Sequence, residues 1–313
     1  MRIAPTYLAL ATATLAACAP VSSTTRVAPA HESRIVSSAE RHDVGYALLA
    51  DRARDADVVF FGENHGDPAT HRAELALLAE IGSRHPNVVV SLEFFERDVQ
   101  PRVDAYLAGQ VPESLFLATS RPPRRYASDY RALVELARAR KWPVVAANVP
   151  RSLAAAIARA GLSHLDTVAL GQRAMAARDI SCPRDVYYDR FVATMSSHND
   201  SAGPRPAADT ATAARNVRYY EAQCVKDETM AESIVAAWRA AGPGALVVHF
   251  NGSFHSDRGL GTAERVRRRV PGIRTILVTA VPVDDVARAD ESAYAERADY
   301  VILVPRPPSP PKP

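Results

Sequence analysis

Residues 57–71, DVVFFGENHGDPATH, narrow what this chain can fold into more than any other stretch. Val58, Val59, Phe60 and Phe61 form a short unbroken apolar run, the pattern of a strand covered on both faces. Gly62 breaks the run, and Glu63, Asn64 and His65 follow. Asp67-Pro68 then reads as a helix start, with the acid as N-cap and proline at the first helical position. Glu63 and His65, which can bind metals or move protons, therefore sit on a strand-to-helix turn. In open α/β sheets, ligands bind at that end of the strands.

The same alternation recurs along the chain. Helix 68–82, with Leu75, Leu78 and Ile81 on its apolar face, leads to strand 87–92, where Glu93 stands as the strand runs out. A helix at 97–107 is followed by a proline-rich loop over 110–127, a helix at 128–140 and a strand at 142–147 that ends at Asn148. From 165 to 240 the pattern is helical with no strand signal, interrupted by a polar stretch near 199–212 that reads as disordered. Strand 245–249 then runs into Phe250-Asn251-Gly252-Ser253-Phe254-His255, before a helix at 259–269 and strands at 273–281 and 300–304.

This order argues an α/β fold: a mostly parallel sheet flanked by helices, built from 41–164 and 241–304, with a smaller helical insert or cap at 165–240. Right-handed crossovers bring the strand ends to one edge, and with them Glu63, His65, Glu93, Asn148 and His255. Residues 305–313 are a Pro-rich tail.

A formal charge of +3 on 313 residues, without a long basic block, gives no footprint for nucleic acid. The run Arg267-Arg268-Arg269 sits where a helix ends and complements its dipole. Residues 1–17 read as a signal peptide, apolar but too short for a comfortable membrane span. Leu15-Ala16-Ala17-Cys18 resembles a bacterial lipobox, which implies cleavage before Cys18 and lipidation of it. Residues 18–40 then form a lipid-anchored tether. The expected location is the bacterial cell envelope, on the outer membrane facing the periplasm. Two further cysteines remain, Cys182 and Cys224, either as one disulfide in an oxidising compartment or as two buried thiols.

Gly62-Glu63-Asn64-His65 and Gly252-Ser253-Phe254-His255 are two Gly-x-x-His motifs at strand ends, with Glu93 on a strand between them. Together with the segments around Glu93, Tyr130, Asn148 and 222–231, they resemble ChaN-like haem-binding, iron-regulated lipoproteins. That family lies in the superfamily of TIKI/TraB-type and erythromycin esterase-like proteins. The resemblance covers about residues 40–282. It implies non-covalent haem, a tyrosine ligand to the iron, a homodimer that stacks two haems, and envelope haem-uptake proteins as partners.

Tyr126, Tyr130, Tyr187, Tyr188, Tyr219 and Tyr220 are the candidate ligands near the expected mouth, with Tyr187 or Tyr188 in the cap preferred. His71 resembles a family histidine, and Arg125, with Arg124, suits haem propionates. The competing reading is a metal-dependent periplasmic hydrolase of peptides or esters. In it Glu63, His65, Glu93 and His255 would be both the catalytic set and the ligands of Zn²⁺, Mn²⁺ or Fe²⁺. Asp227, Glu228 and Asn148 would brace that set, and His249 reads as a core histidine.

Overall fold

The computed structural model describes residues 33–199 and 210–308. The expected leader, Cys18, most of the tether, the centre of the polar stretch near 199–212 and the end of the Pro-rich tail lie outside the described residues.

The chain opens with β1 (Arg34–Ser37), β2 (His42–Val44) and α1 (Tyr46–Ala53). It continues through β3 (Val58–Glu63), α2 (Pro68–Arg84), β4 (Val88–Glu96), α3 (Gln100–Leu107) and α4 (Glu113–Ser120). Then come α5 (Tyr126–Asp129), α6 (Arg131–Arg140), β5 (Val144–Asn148), α7 (Arg151–Ala160) and α8 (Leu170–Arg173). The last third holds α9 (Val186–Asn199), α10 (Thr210–Ala241), β6 (Leu246–Gly252), α11 (Gly261–Arg269), β7 (Thr275–Val283) and β8 (Tyr300–Pro305). Among the described residues the strands form one eight-stranded sheet, in the order β2-β1-β8-β7-β3-β6-β4-β5. β3 to β8 pair in parallel, and β1 and β2 are antiparallel additions at one edge.

Successive side chains of a strand point to opposite faces, so the apolar run of β3 feeds two cores. Val59 and Phe61 pack with α1, α2 and α6 through Leu49, Leu77, Leu78 and Val134. Val58 and Phe60 pack with Ala231, Ile234 and Val235 of α10 and with Val266 of α11. The result is three layers with helices on both faces of the sheet.

That arrangement revises three expectations. Residues 34–37, read as tether, form β1 on the edge of β8, where Ile35 and Val36 are buried. A four-residue edge strand has too little periodicity to stand out. Residues 113–120 form a helix inside the expected loop, because Phe116 has a core site and Pro112 falls at the helix cap. Finally, α10 is not confined to a cap: its C-terminal half is a layer of the α/β domain. Its N-terminal half joins α7 and α9 around the sheet's end, and there Cys182 and Cys224 form a disulfide with Cα atoms 5.7 Å apart.

Candidate functional site

The two glycine-histidine motifs meet because β3 and β6 are parallel neighbours, with Glu63 opposite Gly252. Each glycine is there for the other motif. A Cβ on Gly62 would stand 3.0 Å from Ser253 Cα, and one on Gly252 would stand 2.8 Å from His65 Nε2. On the far side of β6, the β4–β5 register slips between Leu92 and Glu96, an irregularity of the kind that re-aims side chains. Asn148 donates to the Glu93 carbonyl at 3.1 Å, and Glu93 Oε2 accepts from the Gly252 amide at 2.6 Å. Glu93 is thereby fixed against the second motif.

On the β3 side, Glu63 is buried and its Oε1 holds His65 Nδ1 in a close hydrogen bond. Tyr130 donates its hydroxyl to the same oxygen at 2.7 Å. Burial pulls the Glu63 carboxyl up, but His65 beside it outweighs this and holds it below the usual carboxylate range. In return Glu63 raises His65, against the opposing effect of burial.

Behind this pair lies His71 of α2, whose Nδ1 is 2.8 Å from Glu74 Oε2 and 3.6 Å from Glu63 Oε2. Its Nε2 stands 3.3 Å from Asp129 Oδ2, within ion-pair distance but out of hydrogen-bond line. Asp129 is held by Arg125 at 2.8 Å. Glu63 Oε2 and Glu74 Oε1 are buried without a hydrogen-bond partner.

On the β6 side, His255 lies between two carboxylates, Asp227 Oδ1 at 2.7 Å from Nδ1 and Glu93 Oε1 at 3.3 Å from Nε2. Tyr187 and Thr262 each donate to Asp227 at 2.8 Å. Burial alone would lower His255, but Glu93 and Asp227 outweigh it and push it up to about 10. Both ring nitrogens thus face carboxylates. Among the described residues Glu63, His65, Glu93 and His255 are not gathered as one compact metal-capable group. They divide into an open half around Glu63 and a closed half around His255.

Between the halves is a cleft of about 350 Å³, lined by Glu63, His65, Glu93, Phe94 and Tyr130 and rimmed by Arg124, Arg125, Arg151 and Lys226. The His65 side chain is 65% exposed there, while that of His255 is 7% exposed. The preferred tyrosines are elsewhere. Tyr187 is buried with its hydroxyl on Asp227, and Tyr188 packs edge-on against Tyr220. Tyr126 is a core residue beside Phe95 and Phe116. Burial pushes Tyr126, Tyr130 and Tyr187 above the ordinary phenol value, which disfavours the phenolate. His249 is a neutral core histidine paired with Ser91 at 2.8 Å, driven down to about 3 by burial.

The family described as "Haem-binding uptake, Tiki superfamily, ChaN" matches residues 49–266. The chain belongs to this family. Among solved structures, ChaN of Campylobacter jejuni, described with cofacial heme bound, is 16% identical. The match covers 87% of this chain and 96% of that one with a TM-score of 0.65, a likeness of fold. An erythromycin esterase, EreC, is 12% identical over 75% of this chain and 72% of its own, with a TM-score of 0.42. A succinoglycan biosynthesis protein is 10% identical over 83% and 90%, with a TM-score of 0.48. No curated protein matches the chain.

The sequence reading of this ChaN-family chain passed over Glu74 and Asp129. Glu74 had a visible signal. It lies on the α2 stripe with Leu77, Leu78 and Ile81, where an apolar residue is the rule. Asp129 had none: it falls in the first turn of the helix expected at 128–140, where an acid is ordinary, and nothing in the spacing shows that it faces His71.

Proposed function

We propose that this chain binds haem non-covalently in the strand-end cleft and serves haem or iron uptake from the cell envelope, anchored by acyl chains on Cys18. Membership of a haem-binding uptake family is the observation that carries the reading. The residues present fit the group. His65 offers an exposed imidazole whose Nδ1 is tied to Glu63, leaving Nε2 as the ligating atom, and a carboxylate on the far nitrogen raises ligand basicity. Phe94 and Val149 supply apolar wall, and the cationic rim suits the two propionates. Bound haem would supply an iron that an imidazole can ligate. Glu63 would orient His65, Tyr130 would hold Glu63, and the arginines would fix the porphyrin edge.

Support for the envelope location is the N-terminal sequence, with its apolar leader and Leu-Ala-Ala-Cys ending. A second copy stacked haem to haem is the arrangement the name of the Campylobacter jejuni structure suggests. The hydrolase alternative would use His255 as a base or ligand, and that side chain is 7% exposed between two carboxylates.

Haemin titration of the purified full chain tests the reading. A saturable Soret band at micromolar haemin, weakened about tenfold or more in His65→Ala, is the expected result. Absence of saturation in the native chain would overturn it. Acyl-labelling that fails to mark the chain, or marks Cys18→Ser equally, would remove the anchor.

A further inference from the structure

We infer that Glu63, His71 and Glu74 form a binding site for one divalent cation beneath the cleft, separate from the position at which His65 would meet haem. The site does not depend on haem binding.

One potential ligand atom from each of the three residues lies within 4.8 Å of the other two. His71 Nδ1 is hydrogen-bonded to Glu74 at 2.8 Å and lies 3.6 Å from Glu63, the latter near the ~3.4 Å that separates two donors each about 2.1 Å from a tetrahedral ion. All three residues are buried, so bulk water does not compensate the carboxylates. Two of their oxygens, Glu63 Oε2 and Glu74 Oε1, lack any donor. Glu74 is 0% exposed and has no lysine or arginine bonded to it among the described residues; its ionisable neighbours are His71, Glu63 and Asp129.

The surroundings complete the case. Asp129 stands 3.3 Å from His71 Nε2, on the side of the ring away from Nδ1, which faces the two glutamates. A carboxylate behind the metal-facing histidine is a recurrent second layer of metal sites. Arg125 fixes Asp129, and Tyr130 fixes the other oxygen of Glu63. Glu63 and Asp129 also line the cleft, which gives an ion its way in. One imidazole with two carboxylates suits Mn²⁺, Fe²⁺ or Zn²⁺ better than a soft metal.

The competing explanation is a proton on Glu74 shared with Glu63. The two are separated with the haem-free full chain, stripped by chelator and then titrated with MnCl₂, FeCl₂ under anaerobic conditions, or ZnCl₂. The site predicts about one tightly held equivalent of at least one of these ions by elemental analysis. It also predicts a rise in thermal midpoint of roughly 5 °C or more at saturation. Glu74→Gln should lower the metal affinity about tenfold or more while leaving haemin binding intact.

No retained ion and no midpoint shift with any of the three metals would overturn the site. So would a Glu74→Gln chain with metal affinity equal to the native one. The shared proton predicts the first of these results with a Gln variant at least as stable as the native chain, because the amide can donate to Glu63. Should Glu74→Gln fail to fold, the native titration decides alone. A chain that takes up haemin but no metal defeats this inference and leaves the haem reading standing, and the converse result does the reverse.

Discussion

The two halves of the strand-end edge use the same residue types and arrive at opposite states. Around His255, one imidazolium is matched by Glu93 and Asp227, and the acids are further satisfied by Tyr187, Thr262 and the Gly252 amide. Around His71, three acids converge on one buried imidazole, and two of their oxygens have no donor. The closed half is balanced and holds the loop after β6 in place. The open half is short of positive charge, and beside it the exposed His65 faces the cleft. A set of acids and histidines is thus not a site by composition. Charge left uncompensated in a buried place is the feature that points to a ligand.

The sharpest way to break this contrast is to remove one member from each half. Asp227→Ala leaves a buried imidazolium short of a partner and should cost about 3–5 kcal/mol in urea denaturation. His65→Ala, exposed in the cleft, should cost no more than about 0.5 kcal/mol. Equal losses would erase the distinction.

Next in size is the disulfide that braces the helices beside the closed half, spanning a separation of 42 residues. The double change Cys182→Ser with Cys224→Ser should lower stability by about 2–4 kcal/mol and leave haemin binding unaltered. A lost Soret band in a folded double variant would show that the closed half also shapes the cleft.

Gly252→Ala probes the seam between the halves. Its methyl would fall 2.8 Å from His65 Nε2, so about 1–3 kcal/mol of overpacking and a weakened Soret band are expected. Gly45→Ala, with nothing within 4 Å of its Cβ position, is the control and should leave haemin binding unchanged.

A last effect is graded with pH. His255 is raised from 6.5 to about 10, so its stabilising contribution is complete below 6.5 and declines progressively as pH rises through about 10. Glu93 and Asp227 are held low, so theirs is present above the ordinary carboxylate range and lost as pH falls below it. The stability of the native chain in urea denaturation should fall between pH 7 and 10, by at most about 1.4 kcal/mol per pH unit from this group. The fall should be much shallower in His255→Gln, and identical slopes would show that the triad does not titrate as described.

Much of this was legible in the sequence for definite reasons. Buried parallel strands are continuous apolar runs, so β3, β4 and β6 stood out, and their polar ends marked the edge where Glu63, Glu93 and His255 gather. What the pattern could not convey was pairing. Nothing in the spacing of His255 says that two carboxylates would occupy its ring, because Asp227 arrives from a helix. Tyr187 looked like a free phenol in a cap, yet α10 lies against the sheet and its Asp227 takes the hydroxyl. Glu74 is legible as an acid set in the apolar stripe of α2, but a helix position does not reveal which strand-end groups it meets.

The threading of β6 between β3 and β4 has a consequence for the order in which the cleft can be built. The floor of the cleft is made by residues early in the chain, but its seam is closed by a strand that follows them by more than 180 positions. A chain cut short before β6 would have Glu63 and His65 without the neighbour that locates them. The cleft therefore takes shape only when nearly the whole polypeptide is available and β6 has slid into its slot.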